Sequence, residues 1–405
     1  MADAITKPAR PWTAIPAGVW ALGVVSLFMD FSSEMIHALL PLYLTGVFQA
    51  SGLVVGIIEG VAESVALIVR IFSGALSDWL GKRKLLAAFG YGLAAFTKPV
   101  FPLAPAIGWL FAARFVDRIG KGIRGAPRDA LVADFSPPEL LGASFGLRQS
   151  LDTVGAVAGP LLAIALMGLT ANNFTIVFWV AVIPGFLSFL VMLLAVKEPE
   201  RPANLRKVKN PISRAELRLL GARYWWLTAI GGILTLARFS EAFLILKAQA
   251  AGLPIALAPA VLVAMSAVFA LSAYPAGVLS DRMDRPAILA AGMSVLIAAD
   301  VVLAAAPGLS GVALGVMLWG LHMGLTQGLL AALIADTARP ELRGTAFGIF
   351  NLACGVATLI ASVIAGVLWD VTGPQGTFIG GAVFSLLALL SLLAVRRRLA
   401  VNKAA

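Results

Sequence analysis

Between Arg114 and Asp129 the chain places Arg114, Asp117, Arg118, Lys121, Arg124, Arg128 and Asp129 in a stretch flanked by apolar sequence. At about 100° per residue these side chains fall within an arc of roughly 140° on one helix. Charge in the middle of a bilayer is costly, so such residues face a protein interior or a water-filled path. The stripe therefore demands other helices around it. Composition supplies them: the 405 residues are 60% hydrophobic and 13% charged, against about 25% charged in soluble domains. At about 20 apolar residues per crossing there is room for roughly twelve spans and little else. The net charge of +10 would suggest nucleic acid in a soluble protein. Here it sits largely in short loops and tails, where it reads as membrane topology, and no nucleic-acid partner is expected. The single Cys354 excludes an internal disulfide. Lys7 and Arg10 precede an apolar stretch with no A-x-A site, which reads as an uncleaved first span.

Hydrophobic blocks fall near 14–44, 52–77, 84–104, 107–130, 140–168 and 173–196, then near 222–248, 255–279, 286–306, 311–336, 343–368 and 375–395. The loops alternate in charge. Lys82, Arg83 and Lys84, Arg282 and Arg285, Arg339 and Arg343, Arg396 to Arg398 and the basic 197–223 segment lie on one side. The loops near 45–52, 104–108, 169–173 and 307–311 are uncharged. An excess of cations marks the cytoplasmic side, so both termini and the central loop are expected there. Ala130 to Asp134 recurs as Ala332 to Asp336, and Gly142, Phe145 and Gly146 recur as Gly344, Phe347 and Gly348, all at an offset of 202. Two homologous halves follow: 1–196 and 222–405, joined by a linker over 197–221. The expected fold is all-α, with twelve transmembrane helices in two six-helix bundles around a central cavity.

The loop after the second span reads Gly74-Ala75-Leu76-Ser77-Asp78-Trp79-Leu80-Gly81-Lys82-Arg83-Lys84, and Gly277, Asp281 and Arg282 repeat its core. It resembles the G-x-L-x-D-[RK]-x-G-[RK]-[RK] loop of the major facilitator superfamily, although Trp79 stands where a basic residue is usual and Asp284 replaces a glycine. The resemblance covers essentially the whole chain. It implies that the motif's acidic and basic residues latch the two halves on the cytoplasmic side. Span five carries Gly146, Gly155, Gly159 and Pro160. This is similar to the span-five motif of the superfamily's proton-coupled drug and organic-compound antiporters, except that Ala163 and Ile164 replace its last two glycines. Such glycines permit close helix approach. Span four resembles the superfamily's arginine-containing fourth helix through Arg114 or Arg118. Its Gly120-Lys121-Gly122-Ile123-Arg124-Gly125 run lies within a helix with no preceding strand, so it is not read as a dinucleotide site.

Asp30 and Glu34 lie one turn apart on span one, with His37 on the same face; Glu59 and Glu63 do so on span two, and Arg148 and Asp152 on span five. Arg70 and Lys98 add cations. Asp30 and Glu34 are the expected proton-coupling carboxylates, with Arg114 and Arg118 as counter-charges. Arg114, Asp117, Arg118, Lys121, Arg124, Arg148, Asp152, Glu63, Arg238, Glu241, His322 and Gln327 are expected to line the cavity. Neither a metal nor another cofactor is expected, since one His322–Met323 pair is a weak ligand set. The expectation is a transporter in a bacterial-type inner membrane that uses protons to move a small organic anion or amphipathic compound. Export is favoured over symport uptake, and a monomer suffices. A non-transporting membrane sensor is the remote alternative. No H-E-x-x-H or other catalytic constellation suggests an enzyme.

Overall fold

In the computed structural model, residues 15–80, 82–198, 220–337 and 343–399 are described. Most of the linker expected over 197–221 lies outside them. The first bundle comprises α1 (Ala17–His37) continued by α2 (Leu40–Gly46), α3 (Gly52–Leu80), α4 (Arg83–Thr97) continued by α5 (Val100–Leu103), α6 (Ile107–Phe135), α7 (Leu141–Leu169) and α8 (Phe174–Leu194). The second comprises α9 (Gly221–Ala237) continued by α10 (Ala242–Ala250), α11 (Ala260–Arg282), α12 (Arg285–Ala305), α13 (Leu309–Thr337) and α14 (Arg343–Leu399). α14 makes two passes, because Gly373 turns the chain with φ +74° ahead of Pro374. Only glycine takes that backbone region without strain. The chain thus makes six passes in each bundle.

Nine stretches among the described residues are long and apolar enough to cross a bilayer, and Ala346–Val395 among them covers both passes of α14. α6 is not one of the nine, because its stripe of charge breaks the apolar run. It stays in the membrane by being wrapped: α3 and α4 pack along it, while α1 packs on α7 and α8. The outward faces are apolar, as with Leu85, Phe89 and Phe96 on one side of α4, and suit contact with lipid.

Close helix approach sets how charge is placed. A Cβ on Gly155 would run into the Leu27 carbonyl, and one on Gly159 would lie 2.5 Å from the Phe31 carbonyl, so α7 rides directly on the α1 backbone on both sides of Asp30. Gly146 has open space around it and plays no such part. Gly155→Ala is therefore expected to lower the unfolding temperature of the purified protein. Gly146→Ala should leave it unchanged or raise it slightly, since alanine favours an open helical site by up to about 1 kcal/mol. Equal effects at the two positions would refute this packing account. In α6, Gly120 meets Gly90 of α4 and Gly122 meets Ala66 and Val69 of α3, so the glycines of the G-x-G-x-x-G run serve helix packing.

The bundles meet chiefly along α3 and α14, with lesser contacts of α7 to α11 and α2 to α10. Gly56 abuts the Ser362 carbonyl, Gly366 abuts Gly52, and further along Gly348 approaches Ile71. At the uncharged-loop end the Gly52 N–H donates to Asp370 Oδ1 (2.7 Å) and the Leu53 N–H to Oδ2 (2.8 Å). The first N–H groups of a helix have no partner within it and carry the positive end of its dipole. Asp370 satisfies two of them from the opposite bundle. Glu198 does the same for α4 within one bundle, accepting from the Arg83 and Lys84 N–H groups at 2.8 Å each.

Candidate functional site

Two passes are interrupted at matching places. The first breaks at Ala38–Leu39 between α1 and α2, and the seventh at residues 238–241 between α9 and α10. The offset of 202 carries Ala38 and Leu39 onto Ser240 and Glu241. Broken helices at corresponding points of two repeats are a feature of transporter binding sites, because the unwound backbone supplies polar groups there. A cavity of about 400 Å³ lies between these breaks. The first bundle contributes Glu34, His37, Glu63, Leu67, Arg118, Lys121 and Ala156 to its wall. The second contributes Arg238, Phe239, Ser240 and Glu241 with Leu262, Met265, Ser266, Phe269, Met323 and Thr358. This volume suits a small organic molecule.

A chain of charged groups runs from this cavity into the first bundle. His37 Nδ1 lies 3.3 Å from Glu34 Oε2, and its Nε2 lies 3.6 Å from Glu59 Oε2. Arg114 Nη2 donates to the same Glu59 oxygen at 2.7 Å, and Arg118 Nη2 lies 3.1 Å from Glu63 Oε1. Arg114 also approaches Glu63 at 3.8 Å. Glu59, Arg114 and Arg118 are almost wholly buried. Glu34, His37, Glu59, Arg114, Glu63 and Arg118 thus form one continuous network over α1, α3 and α6. The expected pairing of Arg114 and Arg118 with Asp30 and Glu34 is not what forms. α6 packs along α3 rather than α1, so its arginines reach Glu59 and Glu63, and Glu34 takes His37.

A second cavity of about 400 Å³ shares Glu63, Leu67 and Lys121 with the first and extends toward the charged loops. Asp30, Arg70, Arg124, Arg128, Asp129, Arg148, Gln149 and Asp152 line it. Asp129 holds Arg70 and Arg128 at 3.1 Å each, and Asp152 stands 3.7 Å from Arg148 and 3.8 Å from Arg128. Asp30 forms no hydrogen bond or ion pair among the described residues. Arg124 places its guanidinium carbon 4.9 Å from the centre of the Tyr91 ring, a cation–π contact.

The family model of the Major Facilitator Superfamily matches residues 22–357 and 242–405. This chain belongs to the Major Facilitator Superfamily. An uncharacterized MFS-type transporter of Methanocaldococcus jannaschii is 33% identical over 388 residues, covering 93% of this chain and 94% of that one. The inner membrane transport protein YajR of Escherichia coli is 24% identical, over 90% of this chain and 80% of its own. Among solved structures, a bacterial homolog of the human lysosomal transporter Spinster, inward-facing and unoccupied, superposes with TM-score 0.76 at 16% identity, covering 98% of this chain and all of that one. A POT family transporter in complex with 5-aminolevulinic acid superposes with TM-score 0.78 at 14% identity, covering 95% and 97%.

Several expected residues of this superfamily member lie elsewhere than anticipated. Asp117 lines neither cavity: it forms a buried pair with Lys98 Nζ at 2.9 Å, and Lys98 also reaches Ser33. Arg114 lines neither cavity because Glu59 draws it between helices. His322 is fully buried with Nδ1 2.9 Å from the Trp319 carbonyl, and it is Met323 that reaches the central cavity. Gln327 lines neither cavity. Among the described residues no group of three metal-ligating side chains comes together.

The loop motif is only partly visible. Gly81 lies outside the described residues, as do the side chains of Asp78, Asp281 and Arg282. Gly74 is in ordinary contact with Ala126, Gly277 faces open space, and Lys82 is exposed. Arg83 donates to Asp134 at 2.6 Å and to the Ala130 carbonyl at 3.1 Å, both on α6 of its own bundle. A polar contact between the bundles lies at the opposite end, where Asp370 of α14 accepts from the first N–H groups of α3. Asp300 is a wholly buried carboxyl on α12 that the sequence pattern did not single out. A lone acid between Ala299 and Val301, without a charged neighbour one turn away, offers little to notice.

Proposed function

We propose that this protein is a proton-coupled secondary transporter that exports a small organic anion across a bacterial-type inner membrane by alternating access, with both termini cytoplasmic. The observation that carries this reading is the cavity at the junction of two interrupted passes, walled by charged groups from both bundles. Lys121 and Arg238 stand on opposite walls, and their side chains form no hydrogen bond or ion pair among the described residues. An anion would satisfy both, and Met265, Phe269 and Met323 would cover its apolar part.

Asp30 and Glu34 are the proposed proton carriers. Asp30 opens on the cavity lined by Lys121, Arg124, Arg128 and Arg148 of α6 and α7, so a shift of these helices against α1 during the transport cycle would change which cations stand near that carboxyl. A carboxyl in the membrane whose charge partners change in this way takes a proton on one side and gives it up on the other.

The test is transport in proteoliposomes under an imposed pH gradient, with a pH-sensitive dye inside and anionic, neutral and cationic compounds offered in turn. Proton movement opposite to an anionic compound is expected. Co-directional movement would turn the assignment to uptake, and flux without a proton signal would remove the coupling. Asp30→Asn should abolish flux driven by the pH gradient while leaving substrate exchange measurable. Loss of both would count against a coupling role.

A further inference from the structure

Asp300 is fully buried in α12, and neither carboxylate oxygen has a hydrogen-bond partner among the described residues. The repeat makes its isolation informative. At the offset of 202, Asp300 occupies the place of Lys98. The packing keeps that register: Gly90 abuts Arg124 of α6, and Gly292 abuts Thr326 of α13, again 202 residues on. In the first bundle Lys98 is neutralised by Asp117. The counterpart of Asp117 is Trp319, so the second bundle keeps an ionisable group and loses its counter-ion. An unpaired charge in an apolar core is too costly to persist.

What surrounds Asp300 connects it to the central cavity. A Cβ on Gly381 would lie 2.7 Å from Asp300 Oδ2 and 3.0 Å from the Phe239 ring, so both groups press on the same backbone. Phe239 belongs to the break in the seventh pass and lines the central cavity on its other side. Its ring packs on Trp319 and Phe378. Of the titratable groups on the surrounding elements, Arg238 lines the cavity beside Phe239. His322 turns Nδ1 to the Trp319 carbonyl, and Lys247 bonds the Ala306 carbonyl at the end of α12. None of them pairs with Asp300.

We propose that Asp300 is a proton-binding site of the second bundle: it holds a proton while Phe239 shields it, and exchanges that proton with cavity water when the break at 238–241 moves. The consequence for transport rests on the proton-coupled reading above, whereas the titration itself does not. Infrared spectra of the purified protein provide the test without any substrate. A carboxylic-acid C=O band missing from Asp300→Asn is expected in the wild type. That band should diminish at alkaline pH, and its shift in heavy water should be several-fold faster in Phe239→Leu. No band difference between wild type and Asp300→Asn would overturn the proposal. So would a band that neither pH nor Phe239→Leu alters, since the proton would then be permanent. In proteoliposomes Asp300→Asn should lower the protons moved per substrate while substrate exchange persists; an unchanged ratio would overturn the coupling role. Wild-type flux without protons would sink the proton-coupled reading alone and leave the infrared result standing.

Discussion

Arg114→Ala should be the most destabilising change in the charge network. The guanidinium and the Glu59 carboxylate are both within 2% of full burial and meet at 2.7 Å. Removing the cation strands Glu59, whose remaining neighbour is the His37 ring at 3.6 Å. Breaking a buried pair from one side typically costs about 3–5 kcal/mol, a large part of the roughly 5–15 kcal/mol that holds a folded protein together. Thermal unfolding of the detergent-purified protein should show a large drop. Adding Glu59→Gln to Arg114→Ala should recover part of it, because the stranded charge goes too. Lys121→Ala is the control: that side chain is exposed to both cavities and unpaired among the described residues, so its loss should leave unfolding nearly unchanged. A similar drop for Lys121→Ala and Arg114→Ala would mean that the pairing does not hold the first bundle.

Gly56→Leu should abolish transport by forcing the α3–α14 seam apart. The obstacle is the Ser362 carbonyl, a backbone atom that no rotamer change can move aside. Gly366 sits a little further along with Gly52 against it, so the strain cannot be relieved by sliding the helices. Overpacking of this kind costs about 1–3 kcal/mol where a core can yield, and here the weaker element is the interface between bundles. Parting it also pulls Gly52 and Leu53 away from Asp370. Spin labels at Val47 and Val371, introduced as cysteines after Cys354→Ser, would report the opening as a longer separation; both positions are exposed at that end. Gly46→Ala, which faces open space, should change neither distance nor transport. An unchanged label distance in active Gly56→Leu protein would show that the seam is not a moving contact.

The architecture was legible because burial in a bilayer imposes a length and a polarity on every pass. Apolar blocks, alternating loop charge and the 202-residue repeat led to twelve helices in two bundles, and Gly155 and Gly159 pointed to close approach by α7. The breaks at Ala38–Leu39 and at 238–241 were not legible. Ala38 and Leu39 continue the apolar run of the first pass, and Arg238 and Glu241 read equally well as cavity-facing charges on an unbroken helix, so neither pattern marks the backbone as interrupted. Gly146 shows the limit of a motif, since a glycine of the same pattern meets nothing.

The sequence by itself determined that this chain fills a membrane with two related bundles and carries charge into their interior, because those properties depend on composition and period along one helix. Only the tertiary structure decided who pairs with whom. It directed Arg114 and Arg118 to Glu59 and Glu63, turned Asp117 to Lys98, left Asp30 and Asp300 without partners, and brought Asp370 onto the start of α3. A charge in low dielectric is governed by the group a few ångströms away, and that group usually lies on another helix, at a distance along the chain that periodicity does not encode.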